Sequence, residues 1–221
     1  MTVIKAVLFD LDGTLSNTLD DLAAAGNHTL QMLNMPTHEV DKYRYFVGNG
    51  IPNLIGRILP EDKRDDSTRA KALGIFLDYY GEHYKDKTAP YDGIIPMLDG
   101  LTERGIKLAV ITNKAESAAR QIVSEMFGDR FAVVLGQTDD RPLKPDPEAP
   151  NLAMKQLGVS PDECLFAGDS GVDMCTGTAC GAHPGGVLGG FRGREELLAN
   201  GAEYIIDRPD QLINIVSDLE D

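Results

Sequence analysis

The segment Val3 to Phe9 is almost continuously apolar, interrupted only by Lys5, and it runs straight into Asp10-Leu-Asp-Gly-Thr14. A strand that is apolar at successive positions has no solvent face, so it belongs in a parallel sheet covered on both sides. The acids then stand at the strand's carboxyl end, where open parallel sheets bind their ligands. This one stretch points to an α/β fold and locates a polar site within it.

The next residues read differently. Leu19, Leu22, Ala23, Leu30 and Leu33 recur at helical spacing, as do Leu73, Phe76, Leu77 and Tyr80, and residues 16–90 contain no convincing strand. The charged run Asp62 to Arg69 reads as a loop or a helix start. From Gly93 onward helices and strands alternate. Helices are expected at Pro96 to Arg104, Ala115 to Met126, Pro147 to Leu157, Ser170 to Cys180 and Gln211 to Leu219. Strands are expected at Ile106 to Thr112, Phe131 to Leu135, Cys164 to Ala167 and Glu203 to Ile206. The glycine-rich stretch Gly181 to Arg192 reads as a flexible loop beside the site. The pattern implies a doubly wound parallel sheet built from residues 1–15 and 91–221, with an all-helical unit, residues 16–90, inserted after the first strand.

Composition narrows the function. With 35 acidic and 21 basic residues the formal charge is −14, which argues against a nucleic-acid binder. Three cysteines without a C-x-x-C pair fit a reducing cytoplasm, and four scattered histidines offer no zinc-ligand spacing. The amino-terminal residues lack the layout of a signal peptide, and no apolar run reaches the ~20 residues that span a bilayer. A cytoplasmic protein without a membrane partner is expected.

Four polar clusters follow four expected strands. Asp10 and Asp12 flank a turn loosened by Gly13; one carboxylate can attack phosphorus while the other moves a proton. Thr112 and Asn113 offer a hydroxyl and an amide where a helix begins, a natural phosphate site. Lys144, stiffened by Pro145, can neutralise a phosphoryl group. Asp169 and Asp173, four residues apart, read as one helix face with hard oxygen ligands for Mg²⁺. Each cluster alone has a plainer reading as a polar turn, an N-cap, a solvated lysine or a helix cap. All four in this order at strand ends make coincidence a poor account.

In that order the clusters resemble the four motifs of the haloacid dehalogenase superfamily. The resemblance implies that Asp10 is the nucleophile and Asp12 the general acid and base. It implies that Thr112, Asn113 and Lys144 hold the phosphoryl group. Mg²⁺ would be bound by Asp10, Asp12 through its backbone carbonyl, and Asp169, with Asp173 assisting. The aspartate at position 12 implies a phosphatase or phosphomutase, and the helical insertion a cap over a small phosphorylated metabolite. Asp20-Asp21-Leu22, Asn27 and Val47-Gly48-Asn49-Gly50 make the chain look most like phosphoglycolate phosphatases, implying 2-phosphoglycolate as substrate. Gly48, Asn49, Gly50 and Arg57 then become candidate specificity residues, and Arg44 and Arg57 candidate partners for a substrate carboxylate. The chain departs from its relatives at Asn17, where an acid is frequent, and in the spacing of Pro145 to Pro150. A β-phosphoglucomutase-like mutase, a pyrophosphatase or nucleotidase, and a phosphate- or metal-sensing binding protein are the competing expectations. Monomer and dimer both stay open.

Overall fold

A computed structural model describes residues 3–218 of the chain, which divides into two compact units, one of residues 17–89 and one of the residues on either side of them. The expected last residue of the final helix, Leu219, lies outside the described residues. In chain order the elements are β1 (Ala6–Phe9), β2 (Ser16–Asn17), α1 (Leu19–Met32), α2 (Tyr43–Phe46), α3 (Ile51–Ile58), α4 (Asp66–His83) and β3 (Ala89–Pro90). There follow α5 (Ile94–Glu103), β4 (Lys107–Ala115), α6 (Glu116–Phe127), β5 (Val133–Gln137), α7 (Glu148–Leu157), β6 (Cys164–Gly168), α8 (Gly171–Cys180), β7 (His183–Val187), α9 (Arg194–Ala199), β8 (Tyr204–Ile206) and α10 (Asp210–Asp218). Among the described residues no helix is long and apolar enough to cross a membrane.

Six strands form one sheet in the order β5-β4-β1-β6-β7-β8, and every neighbouring pair is parallel. Strand β1 lies at its centre, and all four of its residues are buried. Successive side chains alternate between the two faces. Ala6 and Leu8 join a core with Ala109, Ile111, Leu135 and Phe166 under Ala153 and Met154 of α7. Phe9 and Ala167 point the other way and face Ile94 and Met97 of α5 and Leu212 of α10. Two covered faces are what the unbroken apolar run requires, and they establish the α/β, parallel-sheet class.

One expectation fails. Gly181 to Arg192 is not a continuous loop, because His183–Val187 is a strand of the central sheet. It carries no apolar signal because its neighbours leave no room for side chains. A Cβ on Gly185 would stand 3.1 Å from Leu165 and 3.2 Å from Ile206, and one on Gly186 3.0 Å from Leu197. Burial there is achieved by backbone, which hydrophobic patterning does not register. Two smaller differences concern the helical stretch, whose ends form the two-residue strands β2 and β3, and β1, which starts at Ala6 rather than Val3.

The helical unit is closed by polar side chains, from the buried Asp21 to the exposed Asp65. Asp21 on α1 accepts from Lys87 N at 3.0 Å and from the N and Oγ1 of Thr88 at 2.8 and 2.7 Å. Asn27 donates to His38 O at 2.8 Å and accepts from His38 N at 2.9 Å and the Tyr43 hydroxyl at 3.0 Å. Gly26 makes room for the buried Tyr43, whose ring would lie 2.5 Å from a Cβ there. Asp65 caps α4 by accepting from Thr68 N at 3.0 Å.

Candidate active site

The first cluster leaves β1 with the Asp10 amide donating to Ala167 O at 2.9 Å, one step past the strand's last residue. The chain then reverses through Gly13, whose φ of +89° an L side chain rarely adopts. Gly13 N donates to Ser16 O at 2.9 Å, closing the turn. Glycine is required there for space as well, since a Cβ would fall 2.4 Å from Asp169 Oδ2.

The second cluster sits on a bulge. Between matched pairs Ile111–Leu135 and Ala115–Gln137, β4 spends more residues than β5, and the extra length throws Thr112, Asn113 and Lys114 out of register. Helix α6 begins only at Glu116, so Thr112 and Asn113 lie within β4 rather than at a helix start, and the plainer reading of the pair as an N-cap falls away. Asn113 instead brackets the backbone of the third cluster: its Oδ1 accepts from Lys144 N at 2.8 Å and its Nδ2 donates to Lys144 O at 3.3 Å. The side chain expected to touch phosphate thus sets the position of the lysine. Thr112 is buried beside it, its Oγ1 accepting from Lys114 N at 3.3 Å.

The fourth cluster also differs in detail. Asp169 stands at the end of β6, before α8 begins, so it does not share a helix face with Asp173. The two acids meet because the strand end and the third residue of the helix lie side by side. Asp173 closes the helix start, accepting from the N and Oγ of Ser170 at 3.0 and 2.6 Å. Capping and chemistry are therefore not alternatives for this residue.

These pieces converge. Carboxylate oxygens of Asp10, Asp169 and Asp173 all lie within 4.8 Å of one another, and all three residues are buried. Lys144 Nζ lies 2.8 Å from Asp10 Oδ1 and 2.7 Å from Asp173 Oδ1, with 3% of its side chain exposed. Asp169 accepts from Thr14 Oγ1 at 3.2 Å and from the Phe191 amide at 2.6 Å. Gly190 brings that amide in; a Cβ on it would stand 2.3 Å from Gly13 O. The glycine-rich segment thus acquires a role: its second half clasps Asp169.

Electrostatics follow from this crowding. Burial, opposed in part by Lys144, pushes the Asp10 carboxyl up to about 6. Asp169 is raised well above the usual carboxylate range, first by burial and then by Asp173 and Asp10. Burial alone would lower Lys144, but Asp10 and Asp173 outweigh it and hold the ammonium above its ordinary range. Three converging carboxylates with one ammonium leave an excess of negative charge, the condition that a hard divalent cation relieves. The donor set fits such an ion: all hard oxygens, drawn from two adjacent strand ends and the first turn of α8.

Sequence reasoning missed four contributors. Lys114 is a charged side chain only 3% exposed, its Nζ 3.1 Å from Asp12 Oδ1 and 3.3 Å from Oδ2. The others are Thr14, Ser170 and the Phe191 amide. The first two had a signal in their motifs; a backbone donor has none.

The remaining candidates belong to the helical unit. Gly48 (φ +117°) and Gly50 (φ +81°) shape the loop from α2 to α3, and Gly50 precedes α3 directly. Arg57 holds that loop, donating to Phe46 O at 2.8 Å and to Asn49 Oδ1 at 2.7 Å. Arg44 pairs with Asp41 at 2.7 Å.

The sequence model described as haloacid dehalogenase-like hydrolase matches residues 7–187. Among curated proteins the chain is similar to a phosphoglycolate phosphatase of Pseudomonas putida, 34% identical over 211 residues that cover 93% of this chain and 77% of the relative. It is similar also to one of Colwellia psychrerythraea, 34% identical over 215 residues that cover 95% of each. A crystal structure from Lactobacillus delbrueckii subsp. bulgaricus matches with a TM-score of 0.92 at 28% identity, covering 97% of this chain and 99% of that one.

Proposed function

Since the chain belongs to the haloacid dehalogenase-like hydrolases and is a phosphatase, we propose that it is a Mg²⁺-dependent phosphomonoesterase acting on 2-phosphoglycolate through an aspartyl phosphate. The observation that carries this reading is Lys144 bridging Asp10 and Asp173 beside Asp169, at the carboxyl ends of β1 and β6. The substrate's name rests on the relatives, which share about a third of their residues with this chain.

In this reading Asp10 attacks phosphorus and Asp12 gives its proton to the leaving oxygen. Asp12 then takes a proton from water as that water attacks the aspartyl phosphate. Lys144, pinned by Asn113, offsets the repulsion between carboxylate and phosphoryl oxygens. Thr112 joins it on the phosphoryl group. Asp10, Asp169 and the Asp12 carbonyl would hold Mg²⁺. Asp173 assists from beside them, because Lys144 and Ser170 already engage both of its oxygens. When bound, the cation adds electrophilic polarisation of the phosphoryl oxygens. The helical unit is read as the cap, with Gly48, Asn49 and Gly50 as its specificity loop and Arg57 as the residue that holds it. Three free cysteines suit the cytoplasm.

Phosphate release should be measured from 2-phosphoglycolate, hexose phosphates, nucleoside monophosphates and pyrophosphate, with excess Mg²⁺ and again after chelation. The expected result is selective release from 2-phosphoglycolate, abolished by chelator and restored by Mg²⁺. Release that ignores the chelator would remove the metal from the scheme; selectivity for another compound would remove the substrate.

A further inference from the structure

The bulge in β4 ends on a lysine that the scheme above does not use. Lys114 follows Thr112 and Asn113 directly, and its ammonium is buried against Asp12 at 3.1 and 3.3 Å. Its backbone is held from the other side: a Cβ on Gly136 of β5 would stand 2.5 Å from Lys114 O. The α/β unit therefore carries two buried lysines, one in β4 and one between β5 and α7, and they divide the site. Lys144 serves Asp10, on the phosphoryl side, whereas Lys114 serves Asp12, on the leaving-group side.

A buried ammonium is stabilised by the anions around it, so this position favours a leaving group that carries a negative charge. We propose that Lys114 is the specificity residue of the α/β unit and binds a carboxylate carried on the carbon next to the leaving oxygen. The inference rests on the proposed reading of Asp12 as proton donor. A leaving oxygen within hydrogen-bond reach of Asp12, about 2.7 Å, shares that carboxylate with Lys114 Nζ. Atoms one or two bonds beyond the oxygen then fall within reach of the ammonium. An ammonium has three donors and can hold an oxygen of Asp12 and a substrate carboxylate together. Glycolate offers that carboxylate; a sugar or nucleoside offers only hydroxyls at the same distance.

The test compares 2-phosphoglycolate with 2-hydroxyethyl phosphate, which keeps the two-carbon leaving group and lacks the carboxylate. Wild type, Lys114→Met and Lys114→Arg are assayed with Mg²⁺. Wild type should prefer 2-phosphoglycolate. Lys114→Met should lose roughly 10- to 100-fold more kcat/KM on it than on 2-hydroxyethyl phosphate, the loss expected for a hydrogen bond to a charged group. Lys114→Arg should recover part of the preference. An equal fall on both compounds overturns the inference and leaves Lys114 as a positioning residue for Asp12. A preference that survives in Lys114→Met overturns it too, while sparing 2-phosphoglycolate as the substrate. A wild type without preference removes both. One measurement needs no variant: glycolate should inhibit the wild-type enzyme at concentrations where ethylene glycol does not, and equal inhibition by the two counts against Lys114.

Discussion

Strands β1 and β6 lie side by side and carry charge at both ends, but the two ends treat a carboxylate in opposite ways. At the amino ends, Glu163 meets the Lys5 ammonium and accepts from Ser160 N, and these contacts hold it at about 2, against an ordinary 4.5. At the carboxyl ends, Asp10 has a lysine only 2.8 Å away and still rises to about 6. An ion pair alone therefore does not set the direction. Glu163 keeps its water and has one cation nearby, whereas Asp10 has lost its water and shares Lys144 with Asp173. One end of the sheet is arranged for stability; the other holds charge together at a cost that its chemistry requires.

The largest effect that would sharpen this contrast comes from Asp10→Asn. The variant should lose at least ~10⁴-fold in kcat, as removal of a nucleophile does. The metal-free protein should at the same time gain on the order of 1–3 kcal/mol at neutral pH, because a carboxyl held about two units above its ordinary value opposes folding there. Phosphate release and urea unfolding, both on chelator-treated and Mg²⁺-loaded protein, measure the two quantities. A destabilised, metal-free Asn variant would break the comparison, since the carboxyl end would then be a stabilising device as well.

Glycines at the two ends offer a second, smaller contrast. A methyl group on Gly190 would meet Gly13 O at 2.3 Å and Asp169 Oδ2 at 2.5 Å, so Gly190→Ala must displace the loop or the acid. We expect a cost of about 1–3 kcal/mol from overpacking and a fall of roughly 100-fold in kcat/KM as Asp169 moves. At the other end Gly158 ends α7 with φ +68° and has nothing within 4 Å of a Cβ. Gly158→Ala should cost only about 1 kcal/mol, through backbone strain, and leave kcat/KM within about twofold. Thermal melts and steady-state kinetics on the pair decide it. Equal losses of activity would mean that the carboxyl end is no more finely placed than the amino end.

What could be read in the sequence follows the same division. The apolar run before Asp10 announces a two-faced strand, and the acids, the threonine-asparagine pair and the lysine announce themselves by following strands. Residues whose meaning depends on a distant partner stay silent. Lys114 reads as an ordinary charge because Asp12, which buries it, lies 102 positions earlier. Strand β7 is hidden because its glycines answer to Leu165, Leu197 and Ile206 rather than to any local pattern. Asp169 and Asp173 were legible as partners, but by helical spacing; in fact a strand end and a helix start bring them together. In the helical unit the residues that carried the resemblance, Asp21 and Asn27, turn out to tie the unit together, so their presence reports on its fold.

The smallest effect belongs to the amino end. Because the Glu163 carboxyl is held below its ordinary value, its contribution to stability is fully present above about 4.5 and fades as pH falls toward about 2. Glu163→Gln removes that contribution. Wild type and variant should therefore differ in urea midpoint at pH 7, modestly because the pair is open to solvent and salt, and should converge as the pH is lowered through that window. Activity should stay within about twofold, since Glu163 precedes β6 while Asp169 of the carboxylate cluster follows that strand's far end. If the gap instead widened on acidification, Glu163 would be behaving like Asp10, and burial rather than its lysine would govern both ends of the sheet.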